Sequence, residues 1–162
     1  MRFLVQPNPA VLDRARPPVR GFLAFTALLL VGWVASRAAH GALTPDGLAR
    51  LLEPGPGDRL GPVALWEEVH QGAFLYGFLL LTVGSLLVVC PVSPRTRNAL
   101  LGIATAAALV DLLAPFLPLA WPGFPGWAEL RIVAFLVAAA TLAAAAAVGF
   151  VTFGREPRRN GG

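Results

Sequence analysis

Lysine is absent from this chain, and cysteine, methionine and tyrosine occur once each. A lone Cys90 cannot form an internal disulfide, and it lacks the Cys-x-x-Cys spacing of a redox or zinc site. Charge is scarce too: 14% of the 162 residues are charged against 56% hydrophobic, and mean hydropathy is +0.67. Those proportions exclude an ordinary soluble domain. The formal charge of +4 comes from arginines grouped beside apolar segments, which is how topology signals look and not how a nucleic-acid-binding face looks. A nucleophile elbow, a Walker-type loop and a dinucleotide fingerprint are also missing, and no serine has a recognisable base nearby in sequence. A non-catalytic protein is the expectation.

What the chain does have is four apolar stretches. A membrane-spanning helix needs roughly 20 mostly apolar residues, and four of them with short connections use nearly the whole length. The stretches run from Gly21 to His40, from about Val63 to Cys90, from Ala99 to Ala114 and from about Leu130 to Phe153. The expected fold is therefore all-α, an integral membrane four-helix bundle. Residues 1–20 read as a basic, loosely ordered lead-in whose Pro7, Pro9, Pro17 and Pro18 break any regular helix, and residues 154–162 as a basic tail. The first stretch also has the outline of a cleaved signal peptide, with small residues around Val34, Ala35 and Ser36; helix-compatible residues follow that site, so a retained span is expected.

Between the first two spans, Thr44 can cap a short helix with Pro45 at its first position. Leu48, Leu51 and Leu52 then share one face until Pro54-Gly55, giving an interfacial helix in the first outer loop. The turn from Pro91 to Asn98 forces an antiparallel hairpin. Arg2, Arg14, Arg16 and Arg20, the Arg95/Arg97 turn, and Arg155, Arg158 and Arg159 of the tail all fall on one side. The opposite loops hold only Arg50, Arg59 and Arg131. The positive-inside rule then predicts cytoplasmic N- and C-termini.

This arrangement strands the polar residues at one rim. His40, His70 and Asp111 fall in the same outer half, with Arg37, Glu67, Glu68 and Arg131 near that level. An aspartate inside an apolar helix costs on the order of 3 kcal/mol on insertion scales and needs a partner. Asp111 shares a face with Ala104, Ala107, Ala108 and Ala114, which should point into the bundle, and Arg37 or a histidine could compensate it. A structural ion pair is the main reading, and a proton or solute pathway past Asp111 is the alternative. His40, His70, Asp111, Arg37 and Glu67 are thus expected to form a buried polar cluster.

His70, Gly77 and Gly84 recur every seven residues on a face expected to look inward. No cofactor is required by the pattern. His40 and His70 could still be axial ligands of a b-type haem in an electron-transfer subunit, although both lie at helix ends where a haem plane fits poorly. Glu67 and His70 also have the Glu-x-x-His spacing of carboxylate-bridged metal centres, but in one copy, enough at most for a single metal ion.

Leu43-Thr44-Pro45-Asp46-Gly47-Leu48-Ala49, Glu68-Val69-His70 and Asp111-Leu112-Leu113-Ala114-Pro115-Phe116 together resemble a group of uncharacterised bacterial four-span integral membrane proteins. The resemblance touches most of residues 43 to 135 through short motifs. It implies four spans and an outer polar cluster of His70 and Asp111, and it brings no activity with it. Those relatives often carry a second histidine two positions after the first; Gly72 stands there in this chain, so a His-x-His ligand pair is in doubt. The expected partners are the lipid bilayer and other membrane subunits or a second copy, in keeping with a structural or accessory subunit of a membrane assembly.

Overall fold

A computed structural model describes residues 9–52, 62–90, 92–121, 124 and 126–154. All its regular structure is helical: α1 Pro9–Ala39, α2 Pro45–Leu52, α3 Pro62–Val89, α4 Pro94–Leu113, a 3-10 turn Ala114–Phe116, α5 Leu117–Ala120 and α6 Trp127–Gly154. Four helices contain stretches long and apolar enough to cross a membrane, at Pro17–Ala39, Trp66–Val89, Pro94–Phe116 and Trp127–Thr152.

The helix ends follow local chemistry. Gly41, at φ +74°, closes α1 in a Schellman motif, in which Ala42 N donates to Arg37 O at 2.9 Å and Gly41 N to Ala38 O at 3.0 Å. Thr44 then caps α2 by accepting from Gly47 N at 3.2 Å, with Pro45 at the first helical position. A Cβ on Gly47 would lie 2.2 Å from Gly41 O, so the two glycines let the chain fold back tightly. The turn seats Leu48, which is buried, in a helix that packs on α6.

Three boundaries differ from the sequence expectation. The first helix starts at Pro9 and runs through Pro17 and Pro18, although each proline gives up an amide donor and crowds the carbonyl four residues back. The third starts at Pro94, since Ser93 caps it by accepting from Thr96 N at 3.1 Å. The fourth starts at Trp127. Pro115, with no N–H to give, ends α4 and tightens the chain into the 3-10 turn.

The most buried span is α6, with 44% of its apolar window inside the bundle against 17% for α1, so α6 is the post on which α4, α1 and α3 pack. Its Phe135, Ala138, Leu142 and Ala145 meet Tyr76, Leu79, Val83 and Leu87 of α3 and Ala104, Ala107 and Ala108 of α4. The alanines let backbones approach closely, while the leucines and the two aromatics fill the wider gaps. The inward face of α3 is therefore the Tyr76–Leu87 line and not the predicted His70–Gly77–Gly84 line. Gly77 is exposed, with nothing within 4 Å of where a Cβ would lie, and Gly84 meets only Leu101. Large side chains gain more from the interior than bare glycines do.

Outside, Phe25, Leu28, Phe74, Leu81, Leu109, Leu113 and Val133 stand exposed around the bundle, a surface suited to hydrocarbon and not to water. Five helix hydroxyls are satisfied locally, as that setting favours. Thr26, Ser85, Thr105, Thr141 and Thr152 each donate to the carbonyl four residues earlier.

Candidate functional site

Alternation of helix direction brings the end of α1, the start of α3, the end of α4 and the start of α6 to one end of the bundle. Each contributes an ionisable residue there: Arg37, Glu68, Asp111 and Arg131. Asp111 is fully buried and is the hub. Arg37 reaches it with a two-pronged grip, Nη1 donating to Oδ1 at 3.0 Å and Nη2 to Oδ2 at 3.1 Å. The hydroxyl of Tyr76 donates to Oδ2 at 2.9 Å. Arg131 places Nε 3.4 Å from Oδ1, close enough for ion pairing but outside hydrogen-bond geometry, and its Nη2 pairs with Glu68.

The network grades from wet to dry. Glu68 leaves 44% of its side chain exposed, Arg131 only 4% and Asp111 1%. Two guanidiniums and two carboxylates sum formally to zero, so the bundle buries paired charge and no net charge. That is the arrangement in which intramembrane ions are tolerated.

Aromatic rings fix the geometry. The Arg37 guanidinium lies 4.2 Å from the Phe135 ring centre and 5.5 Å from that of Trp33. Trp33 in turn packs edge-on against Tyr76 at 4.8 Å and against Phe135 at 5.0 Å. Rings from α1, α3 and α6 thus wall the ion pair from lipid and restrict the Arg37 rotamer.

Of the five residues expected to cluster, the structure brings together Arg37 and Asp111. His40 is exposed at the last turn of α1, where its Nδ1 lies 2.7 Å from the Ser36 carbonyl oxygen of its own helix and not within the bundle. Glu67 and His70 are also exposed, on the side of α3 turned away from the Tyr76 face. They line a shallow groove of about 570 Å³ with Trp66 and Gln71. The buried cluster therefore corrects to Arg37, Tyr76, Asp111 and Arg131, with Glu68 at its edge. Among the described residues, no three His, Cys, Asp or Glu side chains gather where they could hold a metal ion.

Sequence reasoning missed Tyr76 altogether and did not join Arg131 to Asp111. The signal for the first was present: a single tyrosine inside an apolar span must find an acceptor for its hydroxyl, and one intramembrane carboxylate was in reach.

A family model described as a transmembrane helical domain matches residues 61–160. The match takes in α3, α4 and α6, with Glu68, Tyr76, Asp111 and Arg131, while Arg37 comes from α1, outside the matched stretch. No curated protein and no solved structure matches the chain. Four apolar helices packed around a buried ion network make this a multi-pass membrane protein in contact with lipid, and the matched stretch covers well over half of its length. The chain belongs to this family of transmembrane helical domains.

Proposed function

We propose that the protein is a non-catalytic structural or accessory subunit of a membrane assembly, held in a bacterial inner membrane with both termini in the cytoplasm. The observation that carries this reading is the saturation of Asp111. Its two oxygens are engaged by both Nη atoms of Arg37 and by the Tyr76 hydroxyl, with Arg131 alongside, which leaves this fully buried carboxylate committed to holding helices together. A relay carboxylate would need a face open to water or to a moving ion. Surface character supports the partner role: Gly32, Gly77 and Gly102 have open space outside them, where another helix backbone could approach.

The test is chemical crosslinking in native membranes, followed by sizing of the detergent-extracted complex. The reading expects the chain in a species larger than its own 17.0 kDa, lost on Gly77→Leu or Gly102→Leu while the thermal unfolding of the isolated protein is unchanged. Migration as a free monomer in native membranes would refute it. Single cysteines in the Arg95 turn and in the tail should both be labelled only from the cytoplasmic side.

A further inference from the structure

We propose that the groove of Trp66, Glu67, His70 and Gln71 is a binding site for the headgroup of an amine-bearing zwitterionic phospholipid of the phosphatidylethanolamine type. This assignment does not depend on whether the protein has subunit partners. It rests on where the groove lies and on the order of chemistry along α3. The candidate span of α3 runs from Trp66 to Val89, and beyond Gln71 it carries no charged residue, so the groove sits at the edge of the hydrocarbon, at headgroup depth.

Trp66 presents 60% of its surface yet is held from behind by Phe116 of the 3-10 turn, ring centres 5.1 Å apart. A fixed ring face attracts a cation. Glu67 beside it is exposed and makes no ion pair among the described residues, so its carboxylate can accept charge-assisted hydrogen bonds from an ammonium group. One turn deeper, about 6 Å along the axis, His70 and Gln71 offer a ring N–H and an amide N–H as donors to phosphate oxygens. Amine outermost and phosphate next is the order in which a phospholipid headgroup enters the bilayer.

Below the groove the same side of α3 continues as Phe74, Phe78 and Leu81, all exposed. Their spacing carries one face of the helix downward from His70, so acyl chains have a path directly beneath the headgroup. This continuity favours a lipid over a soluble phosphoamine. A primary ammonium is favoured over choline because the groove offers one ring and one carboxylate. A quaternary ammonium is best held by a cage of several rings and has no N–H to donate to Glu67.

The experiment is native mass spectrometry of the full chain in detergent, titrated with phosphatidylethanolamine, phosphatidylcholine or phosphatidylglycerol of matched acyl chains. The wild type should retain phosphatidylethanolamine at least about fivefold over the other two, and Glu67→Gln should remove that preference, the loss expected of a charge-assisted hydrogen bond. Trp66→Ala should weaken it in the same direction. Glu67 is exposed, so the Gln variant should unfold at the wild-type temperature, which separates lost binding from lost fold. Equal retention of the three lipids, or an unchanged preference in Glu67→Gln, would reduce the groove to ordinary boundary lipid. Displacement of the lipid by an equimolar amount of free phosphoethanolamine would overturn the lipid assignment in favour of a soluble ligand.

Discussion

Arg37 and Asp111, 74 positions apart in the chain, meet through two parallel hydrogen bonds that clamp α1 to α4 at one end of the bundle. The clamp has unequal halves. Asp111→Asn would leave Arg37 and Arg131 facing a neutral amide in a dry site, and removing one member of a buried pair costs about 3–5 kcal/mol. Arg37→Gln should cost less, because Asp111 keeps Tyr76 and the nearby Arg131. The double variant should fall well short of the sum of the two losses. Reversible unfolding in mixed detergent measures all three, and an Asp111→Asn protein as stable as wild type would reject a structural role for the pair.

Tyr76→Phe and Glu68→Gln separate the dry and wet ends of the network. The first keeps the ring among Trp33 and its neighbours but deletes a hydrogen bond to a carboxylate, a loss of about 1.5–3 kcal/mol. The second weakens an ion pair whose acid is 44% exposed, and such pairs contribute about 1 kcal/mol or less. Unfolding curves should therefore rank Tyr76→Phe as clearly the more damaging. The reverse order would place the energetic centre at Glu68.

The sequence made some of this legible and hid the rest for physical reasons. Four spans follow from run length, and the short α2 follows from Thr44 and Pro45, because both signals are local. Asp111 and Arg37 stood out since charge in an apolar helix is costly wherever the helix points. Rotation of α3 was not legible. His70, Gly77 and Gly84 form a face as regular as that of Tyr76, Leu79, Val83 and Leu87, and only the volume to be filled against α6 decides which one turns inward. Glu67 and His70 went to the groove, and Glu68 to Arg131, by that one choice.

Gly47 tests the fold-back between α1 and α2. The Cβ of Gly47→Ala would sit 2.2 Å from the Gly41 carbonyl oxygen and 2.7 Å from Thr44 Oγ1, so it would press on the turn backbone and on the cap of α2 at once. The α2 turn should lift from α6 and release Leu48, seen as faster hydrogen exchange across residues 45–52. Gly32→Ala is the matched control, since its added methyl meets nothing within 4 Å. Relief of helix-interior glycine entropy should make that variant neutral or more stable by about 0.5–1 kcal/mol. Unchanged exchange in Gly47→Ala would mean that the turn is looser than its contacts imply.

Cys90, just beyond the end of α3, should resist thiol reagents in the folded protein. It is buried, with Sγ 3.9 Å from where a Gly149 Cβ would lie, and burial pushes its thiol up to about 11. The reacting species is the thiolate, so a raised value lowers reactivity at neutral pH, leaving about one thiol in a thousand ionised at pH 8. Labelling by maleimide should climb about tenfold per pH unit up to the limit of fold stability, whereas an ordinary exposed thiol levels off above about pH 9. A cysteine placed at exposed Asn98, in α4 at the same end of the bundle, supplies that comparison. Rapid labelling of Cys90 at pH 7 in the native protein would show that the end of α3 is open to solvent, and the packing of Leu23, Cys90 and Gly149 would have to be abandoned.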